Sequence, residues 1–308
     1  MSAPEPPRLH EAQADVPHSL VARLIADQAP QWSHLPLTPL SSDGTVHRVD
    51  LLGTDMVVRV PIIDWGEDEA GDDSIRLPRL ATALAPTGVR VPTQLFRGEP
   101  AAGMAWHWGV YRRLPGRHPD PTSPGDQRAL VDGLSAVIRA LRANQALHAL
   151  GTVAAAMFEF RADDAATRPH VVALGSGPAL AAWDAAVELA AREPAAPTSW
   201  VHGDLLPGNL LIEDVLTGLP PRLTGVIDWG ASGIGDPALD LLPAWACLHA
   251  PARRELLEAV GATPTQIVRA RAYAVRKAAW GVPYYARTLP SFAATLEYAL
   301  AQVESDDL

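Results

Sequence analysis

The clearest alternation of apolar and polar positions is Met56-Val57-Val58-Arg59-Val60-Pro61. It predicts a β-strand with Val58 and Val60 on one face and Val57 and Arg59 on the other. Upstream, His18 to Gln28 has helical spacing. Pro39 to Val49 reads as strand, turn and strand around Ser41, Ser42, Asp43 and Gly44. Residues 1–17 read as a loose tail. An acidic, Gly-containing loop from Glu67 to Asp73 leads into a helix expected from about Asp72 to Leu84. Trp106 to Tyr111 reads as strand, and Pro115-Gly116 breaks it.

The pattern then changes to helical. Ser123-Pro124-Gly125-Asp126 carries N-cap signals, and Leu130, Leu134, Val137, Ile138 and Leu141 share one helical stripe. Ala146 to Met157 and Ala179 to Ala191 are further helical candidates, parted by a polar break from Arg161 to Pro169. His148 is read as a packed histidine. Trp200 and Val201 end a buried strand. The apolar runs Leu210–Ile212 and Leu223–Ile227, joined through Pro220-Pro221, pair as strands. Asp236-Pro237 marks a helix start. Arg253 to Val303 reads as two or three amphipathic helices, with Arg276 and Lys277 solvated.

Composition narrows the class. The chain has 308 residues, enough for one large or two modest domains with a core. Apolar residues make up 48% and charged residues 19%, which fits a globular chain and not a disordered one. A single cysteine, Cys247, leaves no disulfide framework and suits a cytoplasmic setting. No signal peptide or membrane span is read. The net charge of −10 argues against nucleic acid as a general partner and is compatible with a cationic substrate.

The chemistry concentrates in Val201-His202-Gly203-Asp204-Leu205-Leu206-Pro207-Gly208-Asn209 and in Ile227-Asp228-Trp229-Gly230. Asp204 and Asn209 have the Asp-x-x-x-x-Asn spacing of a phosphoryl-transfer loop. A γ-phosphoryl carries charge that calls for Mg²⁺, and Mg²⁺ takes hard oxygen ligands. Asn209 and Asp228 offer such oxygens. Asp204 can orient an acceptor hydroxyl and accept its proton. The strand pairing above puts Asn209 and Asp228 at neighbouring strand ends.

With Gly235-Asp236-Pro237-Ala238-Leu239-Asp240, these segments resemble the aminoglycoside phosphotransferase family of small-molecule kinases. The resemblance implies an α+β, bilobal protein-kinase-like fold. A small β-rich nucleotide-binding lobe would span residues 1–112, and a larger, mainly helical catalytic and substrate-binding lobe residues 113–308. It implies ATP and Mg²⁺ as cofactors and a small-molecule hydroxyl as substrate, an aminoglycoside-type or related antibiotic first. No protein partner is implied. The turn with Ser42 and Gly44 would cover the nucleotide, and backbone groups near Val110 to Arg112 would pair with adenine. The family's phosphate-binding lysine falls at Arg59, since Lys277 is the only lysine in the chain. The acid that holds it falls at Asp73, with Asp72 as the alternative. Asp240 would brace the catalytic loop through His202 or nearby backbone.

Rival readings are a protein kinase, a kinase of another small alcohol or sugar, and a nucleotide-binding pseudokinase. Only Ala231 to Gly235 separate Gly230 from Asp236, which leaves no room for a protein kinase's activation segment. Asp204, Asn209 and Asp228 together weigh against the pseudokinase, while Arg59 and Asp73 depart from kinase practice.

Overall fold

The computed structural model describes residues 8–40, 44–66, 69–101, 103–151, 159–193, 198–214 and 220–306. It divides into two compact units. One comprises Met1–Thr82 and Arg90–Pro115, the other Ala83–Val89 and Gly116–Leu308.

The first unit is an antiparallel sheet ordered β1-β2-β3-β5-β4, with strands Leu37–Pro39, His47–Leu52, Met56–Pro61, Trp108–Arg112 and Thr93–Gly98 for β1, β2, β3, β5 and β4. Val58 and Val60 are fully buried among Leu20, Val21, Leu24 and Ile25 of helix α1, His18–Gln28. This follows the period-two alternation, which sends one face of β3 to the core. The segment from Arg8 to Pro17 is not loose. Ala14 N–H donates to Ile62 O at 2.8 Å, Val16 O accepts from Arg48, and His10 is 3% exposed.

Helix α2 runs Glu69–Leu84, so it begins before the expected Asp72. Arg59 stands on the face of β3 away from the α1 core, and Tyr111 on the same face of β5. Gly109 is opposite Arg59 in the register. A Cβ at Gly109 would lie 2.6 Å from the Tyr111 ring, so only glycine lets that ring fold back here.

The second unit is mainly helical. It holds α3 (Pro124–Ala143), α4 (Gln145–His148), α5 (Phe160–Ala173), α6 (Gly177–Arg192), α7 (Pro243–Ala246), α8 (Ala250–Ala259), α9 (Pro264–Tyr285) and α10 (Pro290–Glu304). The stripe Leu130, Leu134, Val137, Ile138, Leu141 is buried, as its spacing requires. The expected polar break at 161–169 is instead helix α5. Only Phe160, Thr167 and Val171 of α5 are buried. Arg168 pairs with Asp164 one turn away and with Asp184 of α6, so polar residues serve this helix as a solvated face. Of the helix expected over Ala146–Met157, the structure gives the short α4, and residues 152–158 lie outside the described residues. His148 accepts from Trp200 N–H at 3.2 Å. Two small ribbons complete this unit: β6 (Ser199–Val201) with β9 (Gly233–Gly235), and β7 (Leu210–Glu213) with β8 (Arg222–Val226). Helix α9 packs against α5, α6, α10 and the turn at Leu239–Leu241.

Candidate active site

In the second unit, the β7–β8 register sets Leu210 opposite Val226, and Ile227 N–H donates to Asn209 O at 2.9 Å. Asn209 and Asp228 therefore sit side by side at the ribbon's end. Asn209 Nδ2 donates to Asp204 O at 2.8 Å and to Asp204 Oδ2 at 3.2 Å. Both partners accept, so the nitrogen faces them and Oδ1 turns away from Asp204 as an acceptor. Asp228 has φ +62°, a left-handed conformation uncommon outside glycine. Such strain persists where surroundings over-determine it and clusters at functional sites.

The brace behind the loop is a buried acid. Asp240 accepts from His202 N–H at 3.0 Å and from Gly203 N–H at 2.9 Å, and is 1% exposed. Burial pushes its carboxyl above the usual carboxylate range, opposed by those N–H groups. Gly203, at φ +82°, turns its N–H toward Asp240 as an L side chain rarely permits. The contact is with backbone and not with the His202 ring. That ring accepts from Asp204 N–H at Nδ1, 3.2 Å, which fixes its proton on Nε2, and Nε2 donates to Ile227 O at 3.0 Å. His202 thus ties the Asp204 loop to the strand end that carries Asp228, and its ring lies 4.5 Å from that of Trp229.

Asp236 is not the N-cap of a regular helix. It accepts from Ala238 N–H at 2.9 Å, and only a short turn, Leu239–Leu241, follows. Its other oxygen takes Arg269 at 2.7 Å and Tyr273 OH at 3.2 Å, which pins this segment to α9. Arg276 and Lys277 are only partly solvated. Arg276 is half-buried, and burial lowers its guanidinium pKa from the ordinary value. Lys277 Nζ is ion-paired to Asp204 Oδ1. The sequence marks Lys277 only as the one lysine, in a helix whose 22 residues include no acid, and does not name its partner.

In the first unit, Arg59 Nη1 lies 2.8 Å from Glu69 Oε1 and 4.0 Å from Asp73 Oδ2, and its Nη2 is 3.2 Å from His47 Nδ1. Its nearest acid is therefore Glu69, one turn before Asp73 on the same face of α2. Asp73 instead accepts from Tyr111 OH at 2.9 Å and from Arg76 at 3.0 Å, and Asp72 is exposed. Burial, with Glu69 nearby, raises Asp73 to about 6. β3 lies between β2 and β5, so Arg59 is not a surface residue on an edge strand.

Val110 is fully buried in β5 with strand neighbours on both sides, Val58 and Phe96, and Arg112 likewise faces Met56 and Thr93. Their backbone groups serve the sheet, so Val110 and Arg112 present no open edge to adenine. The Arg112 side chain is exposed and reaches Asp55 at 3.3 Å. Ser42 lies outside the described residues, and Gly44 precedes β2.

Among the described residues there is no group of three or more His, Cys, Asp or Glu able to hold a metal. Mg²⁺ takes one or two protein oxygens and completes its shell with phosphate and water. Asn209 and Asp228 fit that donor set. No described helix is long and apolar enough to cross a membrane.

A model of the phosphotransferase enzyme family matches residues 36–278. An aminoglycoside 2′-phosphotransferase solved in complex with GDP superposes with a TM-score of 0.71 at 19% identity, covering 94% of this chain and 98% of that one. A macrolide 2′-phosphotransferase from Brachybacterium faecium gives 0.54 at 23% identity, over 92% and 99%. These likenesses are likenesses of fold. Viomycin phosphotransferase of Streptomyces vinaceus is 52% identical over 56 residues, which span 18% of this chain and 19% of that protein.

Proposed function

The chain belongs to the phosphotransferase enzyme family, and we propose that it transfers the γ-phosphoryl of Mg·ATP to a hydroxyl of a small molecule, an antibiotic first among the candidates. The observation that carries this reading is the convergence of Asp204, Asn209 and a left-handed Asp228 at one ribbon end. The relatives' names, which cover aminoglycoside, macrolide and viomycin phosphotransferases, support the antibiotic class.

In this reading Asp204 receives the acceptor's hydroxyl, orients it in line with the phosphoryl and accepts its proton. Asn209 Oδ1 and the Asp228 carboxylate hold the metal. When bound, Mg²⁺ neutralises phosphate charge. His202 and Asp240 keep the loop and the Asp228 strand end in register. In the first unit Arg59 takes a nucleotide phosphate, with Glu69 and Asp73 orienting its guanidinium. Arginine is longer than lysine and binds phosphate bidentately, so it can serve where a lysine would otherwise stand.

The test is phosphoryl transfer from Mg·ATP and, separately, Mg·GTP to a panel of aminoglycosides, macrolides, viomycin and simple sugars. Transfer to an antibiotic, with nucleotide binding lost in Asp228→Ala, is the expected result. Transfer only to a sugar would replace the acceptor class. Nucleotide binding without transfer to any acceptor would overturn the reading.

A further inference from the structure

One surface of helix α9 leads outward from the catalytic carboxylate. Tyr273, Lys277, Trp280 and Tyr284 follow one another at helical spacing and share a face. Tyr273 is buried against Phe160, with ring centroids 4.9 Å apart. Lys277 comes next, on Asp204. Trp280 is then 43% exposed, and Tyr284 is 49% exposed. His170 of α5 stacks on Trp280 at 3.7 Å with a 30° interplanar angle. From Lys277 to Tyr284 the face is about 10 Å long, at 1.5 Å per residue. That length suits one or two rings of an acceptor whose hydroxyl sits on Asp204.

The charge of this helix is unexpected for the chain that carries it, and Lys277 is the charge on the aromatic face. The protein's net charge is −10, yet α9 holds Arg269, Arg271, Arg276 and Lys277 and no acid. Arg269 is neutralised by Asp236, and Arg271 lies 3.8 Å from Asp306. Arg276 feels Asp163 of α5. Lys277 neutralises Asp204 itself, and both side chains are about two-thirds buried or more. An ammonium group placed beside the reacting hydroxyl would meet the Lys277 cation and displace it from its carboxylate, or be repelled. A flat, uncharged ring would instead stack on the indole already held by His170.

We propose, resting on the phosphotransferase reading above, that the Lys277–Trp280–Tyr284 face of α9 with His170 is the acceptor subsite. It selects a hydroxyl compound whose flank is a flat, uncharged ring, and it disfavours an ammonium-rich aminoglycoside. Lys277 fixes one carboxylate oxygen of Asp204 while Asn209 fixes the other, so the acceptor meets a base already oriented.

Calorimetric titration without nucleotide separates this proposal from the reaction, because it needs no turnover. The probes are kanamycin, a polycation, and 4-nitrophenyl β-glucoside, a neutral ring alcohol. Wild type, Lys277→Met, Lys277→Glu and Trp280→Ala are compared, each with its circular dichroism spectrum as a folding control. Kanamycin affinity is expected to rise about tenfold or more from wild type to Lys277→Glu, with Lys277→Met between them. The neutral probe is expected to bind wild type and to weaken about tenfold in Trp280→Ala, the loss of one stacking partner. Equal kanamycin affinity in wild type and Lys277→Glu, or no binding to either, overturns the charge selection. A neutral probe that does not bind wild type, or is indifferent to Trp280→Ala, overturns the subsite. Failure of the phosphotransferase reading is seen elsewhere, as nucleotide bound without transfer.

Discussion

Two charged clusters, one in each unit, are built on opposite principles. Around Asp204 the geometry is set by main chain. Asp240 takes backbone N–H groups, His202 bridges a backbone N–H and a backbone carbonyl, and Ile227 bonds Asn209. Around Arg59 the geometry is set by side chains. Glu69, Asp73, Arg76, His47 and Tyr111 meet around Arg59, so that three strands and a helix contribute, with two arginines and two acids nearly balanced. A main-chain brace places the loop rigidly, and among the described residues only the ends of Asn209 and Lys277 reach the Asp204 carboxylate oxygens. A side-chain cluster can change charge or partner when a phosphate arrives, at the cost of burying charge that depends on every member.

The largest effect that would break this contrast is at the base. Asp204→Ala is expected to lower kcat by about 10²–10⁴ with nucleotide affinity nearly unchanged. Steady-state kinetics and calorimetry together check it. Equal loss of nucleotide binding would show that Asp204 belongs to the metal site instead.

Next is the brace. Asp240→Ala leaves the N–H groups of His202 and Gly203 buried without an acceptor. Urea unfolding should show a loss of about 2–5 kcal/mol. Activity at temperatures where the variant stays folded should fall as well. If stability is unchanged, the loop is held by something other than Asp240.

Arg59→Ala sharpens the other side. It leaves Glu69 and Asp73 together without their shared cation, which should cost about 3 kcal/mol of stability and raise KM for the nucleotide. Glu69→Gln should raise that KM too, whereas Asp72→Asn, on the exposed side of α2, should not. A KM that responds to Asp72 and ignores Glu69 would reverse the pairing described here.

The smallest effect is a pH dependence. Asp73 stands at about 6 in the fold against an ordinary 3.8. Between those values the folded chain binds the extra proton, so this group's contribution to stability is present at low pH and is lost as pH rises to about 6. Unfolding free energy should decline by about 1–3 kcal/mol across that window relative to Asp73→Asn, which should be flatter. Parallel slopes for the two proteins would show that Asp73 is not held above its ordinary range.

Part of this molecule was written in neighbouring residues. The Asp204–Asn209 spacing, the glycine at 203 and the apolar runs on either side of Pro220-Pro221 act within a few residues of one another. Backbone sterics and strand pairing fix their outcome locally, so the ribbon and the meeting of Asn209 with Asp228 followed from the chain. The stripe of α3 and the alternation of β3 were legible for the same reason, since burial follows a fixed period. Other features were decided only by packing. Helix α5 lacks a strong apolar stripe, and it is seated by Phe160 against Trp183 and Tyr273 while Asp164, Arg168 and Asp184 meet on its solvated side. Glu69 and not Asp73 lies nearest Arg59, because α2 begins earlier and turns that residue toward β3. Lys277, 73 residues from Asp204, reaches it because Asp236 pins α9 with Arg269 and Tyr273. An ion pair between distant residues has no local signature: charge can be read from a sequence, but the partner is chosen by whichever elements the core brings within about 4 Å.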